Sequence, residues 1–290
     1  MRTVAKKTRA TEVATRKEAP PPAVQNPAHY RRFGNIGIQD MEIPALKLLQ
    51  GLSPEVKANH ELRAGNFYHS ILEQDLGEEL QAVVLLVHHS VILRTPKNVR
   101  GVDSQVLARS ADGINWDKPN QRFEVQLPHG GKTEWFTGRD VQASGLLDWG
   151  SSDPKNRNST PAAQHVYTVI MRLLEPQIEG PVIYTGSVTA NRKIMQLNSK
   201  IDLRAASGTP PLRQIYKVWP EERQGGAGIS WFVPNFTAAG ELPKDDKRFD
   251  EFMAQAERLD ALYPSLKVVG GEAEGLDDSI PHAGASNAAY

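Results

Sequence analysis

Ala163-Gln164-His165-Val166-Tyr167-Thr168-Val169-Ile170-Met171-Arg172-Leu173-Leu174 is the run whose reading decides the fold. It is long, rich in β-branched and aromatic residues, and free of Gly and Pro, which marks a strand. The turn Glu175-Pro176-Gln177-Ile178-Glu179-Gly180-Pro181 closes it, and Val182-Ile183-Tyr184-Thr185-Gly186-Ser187-Val188 reads as its partner. A helix starts near Thr189. Two further strands, Leu212 to Trp219 and Ile229 to Phe236, are joined by Arg223-Gln224-Gly225-Gly226-Ala227-Gly228. Strand, strand, basic helix, strand, strand is the order of a small barrel with a helix before its last hairpin. Such barrels are common platforms for single-stranded nucleic acid.

Outward from this segment the chain is again mostly β. Leu80 to Arg94 predicts one bent strand or two, and short strands are expected at Val106–Arg109, Arg122–Leu127 and Thr133–Phe136. Ser53-Pro54-Glu55-Val56 opens a helical turn, with Ser as cap and Pro at the first helical position. Ile194, Leu197 and Ile201 put an apolar stripe on a helix over about 190–204, and Phe249, Phe252, Met253, Ala256 and Leu259 do so over Asp245 to Leu262. The expected class is mainly β with α additions: an oligonucleotide-binding-type barrel with insertions, spanning 31–264.

The termini differ in composition from the body. Residues 1–30 carry Lys6, Lys7, Arg9, Arg16, Lys17 and Pro20-Pro21-Pro22 with few large apolar side chains, and predict a disordered basic arm. Residues 265–290 predict an acidic disordered tail, with Glu272, Glu274, Asp277 and Asp278. Within the body, 148–162 is a long polar loop whose Lys155 and Arg157 are candidates for phosphate contact.

The 290 residues, 39% of them hydrophobic, suffice for one large or two small cores. Equal numbers of basic and acidic residues, 34 each, exclude a uniformly basic coat but not a local basic groove. The absence of cysteine excludes disulfides, thiolate zinc sites and cysteine nucleophiles. No apolar run approaches the roughly 18 residues that span a bilayer, so no membrane partner is expected. The basic N-terminus lacks the apolar core of a secretory signal.

Catalytic patterns are weak. Asp40 with Glu55-Val56-Lys57 loosely matches the acidic and Glu-x-Lys spacing of some metal nucleases, but Glu55 falls in a helical turn rather than on a strand. His88 and His89 are adjacent on a strand and point to opposite faces, so they do not share a metal. The glycines of 223–228 lack the Gly-Lys-Ser/Thr of a phosphate loop. No catalytic residue, metal or cofactor is expected.

A binding pattern is clearer. Tyr167 and Arg172 lie in the first strand, and Arg192, Lys193, Lys200 and Arg204 on the helix. Arg213, Tyr216, Lys217 and Trp219 follow in the third strand, and Trp231 in the fourth. Aromatic rings stack on bases without regard to sequence while cations track the backbone. The competing expectation is that these aromatics fill the core.

Ile43-Pro44-Ala45-Leu46-Lys47-Leu48-Leu49-Gln50 with Ser53-Pro54-Glu55-Val56, Leu107-Ala108-Arg109-Ser110-Ala111-Asp112-Gly113, Trp149-Gly150-Ser151-Ser152 and Trp231-Phe232-Val233-Pro234-Asn235-Phe236 together resemble bacteriophage proteins of the single-stranded DNA-binding type. The resemblance implies an OB-like fold and a non-enzymatic, host-cytoplasmic role in phage DNA replication or recombination. A homo-oligomer is possible within it. The alternative is a phage virion or assembly protein. Asp277-Asp278-Ser279-Ile280-Pro281 also looks like the end of bacterial single-stranded DNA-binding proteins, where acidic residues precede Ile-Pro-Phe. That likeness implies docking of replication proteins on Asp277, Asp278, Ile280 and Pro281. His282 stands where that motif has Phe, and the chain continues to Tyr290.

Overall fold

The computed structural model describes residues 43–96, 105–225 and 228–262, all within one packing unit. In chain order the elements are β1 (Leu46–Leu48), α1 (Pro54–Ala58), β2 (Phe67–His69), β3 (Gln74–Gly77), β4 (Leu80–Arg94), β5 (Val106–Ser110), β6 (Arg122–Gln126), β7 (Lys132–Phe136) and α2 (Val141–Ser144). They continue with β8 (Ala163–Glu175), β9 (Pro181–Thr185), α3 (Asn191–Ala206), a 3-10 turn at Pro211–Arg213, β10 (Gln214–Gln224), β11 (Ser230–Glu241) and α4 (Arg248–Leu262).

The 15-residue β4 organises the molecule. On one side it pairs with β8 from Gln81↔Glu175 to Leu93↔Ala163. Its other side is shared: β10 takes Leu80–Val83 and β5 takes Val91–Arg94. The sheet order is β11-β10-β4-β8-β9, with β5 off that path. Register shifts at Gln81/Ala82 and Val84/Leu86 bend β4, so a single bent strand forms where one or two were expected. The apolar runs 82–87 and 91–93 of β4 lack strict alternation because both of its faces are covered.

On one face Val84, Val169, Met171 and Leu173 meet Ile194 and Leu197 of α3 and Leu46, Leu48, Phe67 and Leu76 of the small β1-β2-β3 sheet. On the other face Val83, Leu85 and Ile170 meet Phe252 and Leu259 of α4. At the far end of β4, Val91, Leu93 and Ala163 lie under the β6–β7 ribbon and α2, which contribute Val125, Trp135 and Val141. Among the described residues no helix is long and apolar enough to cross a membrane.

The mainly β, α+β class is what the structure has; the barrel is not. The sheets stay open because β1 is three residues long and already paired to β2. The segment around it reaches both ends of the large sheet, each at a single point. At β9, Ile183 N–H donates to Pro44 O (2.8 Å) and Ala45 forms a lone bridge to Ile183. At β11, the Gln50 side-chain amide accepts from Phe232 N–H (2.8 Å) and donates to Phe232 O (2.9 Å). One side chain thus fills the place of a strand residue. Further along β11, Asn235 Oδ1 accepts from Phe236 N–H, Lys200 Nζ donates to Phe236 O, and Pro234 offers no N–H. Side chains therefore seal an edge that would otherwise recruit another strand.

Two local expectations shift. α3 begins at Asn191, with Ala190 at the cap position, and Ser53 precedes α1 without capping it, because its hydroxyl accepts from Gln50 N–H (2.9 Å). The arm 1–30 and the tail 265–290, with Asp277, Asp278, Ile280 and Pro281, lie outside the described residues.

Candidate nucleic-acid interface

β10 and β11 pair over Gln214–Gln224, but β10 meets β4 only over Ile215–Val218. The outer half of this hairpin therefore projects past the sheet, and α3 lies beside it. Alternation along the strand turns Lys217, Trp219, Glu221 and Arg223 to one side, where Thr237, Asn235 and Trp231 oppose the first, second and last of them. Trp219 is half-buried, and its indole N–H donates to Thr237 Oγ1 (2.9 Å). Trp231 is half-buried opposite Arg223.

Glu221 is the hub of the seam. It takes Lys193 Nζ of α3 (2.5 Å), Arg223 (2.6 Å) and Asn235 Nδ2 (3.0 Å). The hydrogen bond from Lys193 holds its carboxyl below the ordinary range, against the opposing effect of burial. Two turns along α3, Lys200 bonds the neutral Phe236 carbonyl (2.8 Å), and one turn further Arg204 meets Glu241 (3.2 Å). Arg192 is exposed, and no ion pair holds it among the described residues. Of the five cations Arg192, Lys193, Lys200, Arg204 and Arg223, three are paired to two carboxylates: Lys193 and Arg223 to Glu221, and Arg204 to Glu241. The exposed Asp202 and Glu222 at the margins still leave one positive charge in excess.

Of the residues singled out in the sequence, the fold gathers Lys193, Lys200, Arg204, Lys217, Trp219 and Trp231 here, with Arg192 at the start of α3. Lys217 is ion-paired with Glu79 (2.5 Å). Four others are elsewhere. Tyr216 is 1% exposed in the core, which corrects its assignment to base stacking: the ring faces Val218 and Phe236, away from solvent. Arg172 lies against α4, 5.7 Å from the Phe252 ring centre and 3.8 Å from Glu251, so it braces that helix. Arg213 donates to the carbonyls of Pro243 (2.7 Å) and Lys244 (3.0 Å) with its guanidinium 4.2 Å from the Phe249 ring, so its donors are engaged within the fold. Tyr167 packs beside the core and stacks on His89 with ring centres 4.7 Å apart.

The sequence reading missed Glu221, Arg223 and Asn235. Strand alternation from Trp219 would have found the first two, since both share its side of β10. It also missed the approach of His89 to His165, whose Nε2 and Nδ1 are 2.9 Å apart. The two residues lie on different strands, and only the β4–β8 register brings them near each other. Burial lowers both imidazoles below the usual range, and the neighbouring histidines add to this for His89. His88 turns to the opposite face, where its Nε2 meets the Ala111 carbonyl.

The 148–162 loop is tied down by Gly150 N–H to Ser159 O (2.8 Å), Ala162 N–H to Ser151 Oγ (2.9 Å) and Asp153 N–H to Ser159 Oγ (3.0 Å), with Lys155 and Arg157 exposed. Glu55 of the loose nuclease pattern is paired with Lys47 (2.8 Å), and Asp40 lies outside the described residues. Among the described residues no group of three or more His, Asp or Glu is placed to hold a metal.

A family model described as Pam3 phage gp34-like protein matches residues 14–261. The chain belongs to this family. The phage character implied by the sequence resemblance therefore stands on a match to most of the chain. No curated protein and no solved structure matches.

Proposed function

We propose that this phage protein is a non-enzymatic binder of single-stranded DNA that acts in replication or recombination of the phage genome. The strand lies along the seam between α3 and the β10–β11 hairpin. The observation that carries this reading is the excess of cations over carboxylates there, on a hairpin that also carries the partly buried rings of Trp219 and Trp231. Phosphates displace Glu221 and Glu241 from their cations and join Lys200 and Arg192, while bases stack on the indoles. Phosphate tracking and ring stacking need no contact to base edges, so affinity is general rather than sequence-specific. Replication proteins docking on Asp277, Asp278, Ile280 and Pro281 belong to the same reading.

The test is fluorescence anisotropy with labelled oligo-dT at low and high salt. The expected result is binding that weakens steeply as salt rises. An absence of binding at low salt would remove the DNA reading. A virion or assembly role would then stand in its place, favoured by Met195 and Leu203, which are 50% and 72% exposed on α3.

A further inference from the structure

The α3–hairpin seam does not end at the first residue of α3. Asn191 Nδ2 donates to the main-chain carbonyl of His165 (2.9 Å), and Arg192 and Lys193 follow Asn191 directly. The head of the seam is therefore pinned to β8 beside a cluster of three rings. His165 is exposed, and its Nδ1 meets Nε2 of His89 (2.9 Å), with ring centres 5.0 Å apart. The His89 ring stacks in turn on Tyr167 at 4.7 Å with the planes 28° apart. On another side the turn at Gly113 closes over His89: a Cβ there would sit 2.6 Å from the imidazole, and the backbone has φ +71°. Only glycine permits that approach.

His89 is thus held by a stack, a hydrogen bond and a close backbone, and it fixes the orientation of His165. The outcome is an exposed imidazole held by its neighbours near the start of α3. Pre-organised rings of this kind lose little conformational freedom when they stack on a ligand.

We propose that His165, oriented by His89 and Tyr167, is a stacking platform for an unpaired nucleobase and extends the single-strand path from the seam across β8. This inference rests on the single-strand reading of the seam. The base meets the ring face of His165, while the Nδ1 edge stays bonded to His89. The contact needs an aromatic plane and not a proton, so phenylalanine substitutes for histidine.

The experiment compares His165→Ala, His165→Phe and Trp231→Ala with the native chain by oligo-dT anisotropy at low salt, with thermal melts of each. His165→Ala is expected to weaken binding roughly 5- to 150-fold, the range of one lost base stack, while His165→Phe stays within about twofold of native. All melts should lie close to native for the His165 variants, because the side chain is exposed. A Trp231→Ala variant that binds weakly beside a His165→Ala variant that binds normally would overturn the platform and leave the seam standing. Equal weakness of the Ala and Phe variants would also overturn it, since the ring face would then not be the contact. A native chain that binds no single strand would remove both readings together.

Discussion

Helices α3 and α4 cover opposite faces of the same sheet, and each has arginine or lysine beside it, but the two faces use those charges differently. Under α4, Arg172 and Arg213 lie against the rings of Phe252 and Phe249, and Arg213 ties the Pro243–Lys244 segment to the turn before β10. Their donors hold one element to another, so a phosphate could claim them only by loosening the helix. Beside α3, Lys193 and Arg223 share a single carboxylate, Lys200 bonds a neutral carbonyl and Arg192 is exposed. Arg192, Lys193 and Arg223 can exchange partners without disturbing the core, whereas Lys200 also seals the β11 edge. A cation clamped by an aromatic ring and backbone carbonyls is part of the fold, whereas several cations around one carboxylate form a surface that can still bind an anion.

The sharpest way to break this contrast is through the core beneath each helix. Phe252→Ala should lower stability by about 3–5 kcal/mol, as should Tyr216→Ala, because each leaves a ring-sized cavity at a fully buried site. Tyr216→Phe should be neutral or slightly stabilising, since the buried Tyr216 hydroxyl has no hydrogen-bond partner among the described residues. Urea denaturation measures all three. A Tyr216→Ala variant that keeps its stability and loses DNA binding would return Tyr216 to the interface.

A smaller loss is expected from the clamps. Arg213→Ala should cost about 1–3 kcal/mol through its bonds to Pro243 O and Lys244 O, and should leave oligo-dT affinity unchanged. Lys193→Ala should do the reverse. Its stability cost should stay below about 1 kcal/mol, and the slope of log affinity against log salt should flatten by about one. Matching effects of the two variants on stability and on affinity would erase the distinction between the faces.

Acid should act on both faces. His69, His88, His89 and His165 all have pKa values lowered, with burial as the largest cause in each. Folding therefore favours their neutral forms. Their contribution is complete above the ordinary imidazole pKa and is lost as pH falls through the depressed folded values. The urea midpoint should be lower at pH 5 than at pH 7. His88→Gln on the α4 face and His89→Gln on the α3 face should each flatten that dependence. A midpoint independent of pH in the native chain would contradict the folded-state preference for neutral imidazoles.

Much of this was legible in the sequence, and the exceptions have physical causes. The long strand at 80–94, the apolar stripes of α3 and α4 and the hairpin of β10–β11 all follow from local periodicity. Closure does not, because it depends on what the ends of the sheet meet. Here they meet one bridge at Ile183 and one glutamine amide at Phe232. For individual site residues the decisive signal was strand parity. Tyr216 alternates with the buried Gln214 and Val218, while Lys217 and Trp219 take the other side. Arg172 sits between Ile170 and Leu174 on the apolar α4 side of β8, which marks it as part of the packing. Contacts such as Glu221 to Lys193 and His89 to His165 depend on tertiary register, and no local pattern announces them.

The finest probe of the contrast is Glu221→Gln. The side chain keeps its size and can still accept the Asn235 amide, but it loses the charge that holds Lys193 and Arg223. Both pairs are partly exposed, so the stability cost should stay within about 1 kcal/mol. Lys193 and Arg223, the latter opposite Trp231, would then lack a competing carboxylate. Oligo-dT binding should tighten by a few-fold at low salt, and the gain should shrink as ions screen the seam. The matched control is Glu251→Gln on the α4 face, where Arg172 remains against Phe252 and no gain in affinity is expected. Tightening by both variants would mean that overall charge, rather than the seam, draws the strand. Tightening by neither would mean that Glu221 does not compete with phosphate, and the path along α3 would lose its electrostatic basis.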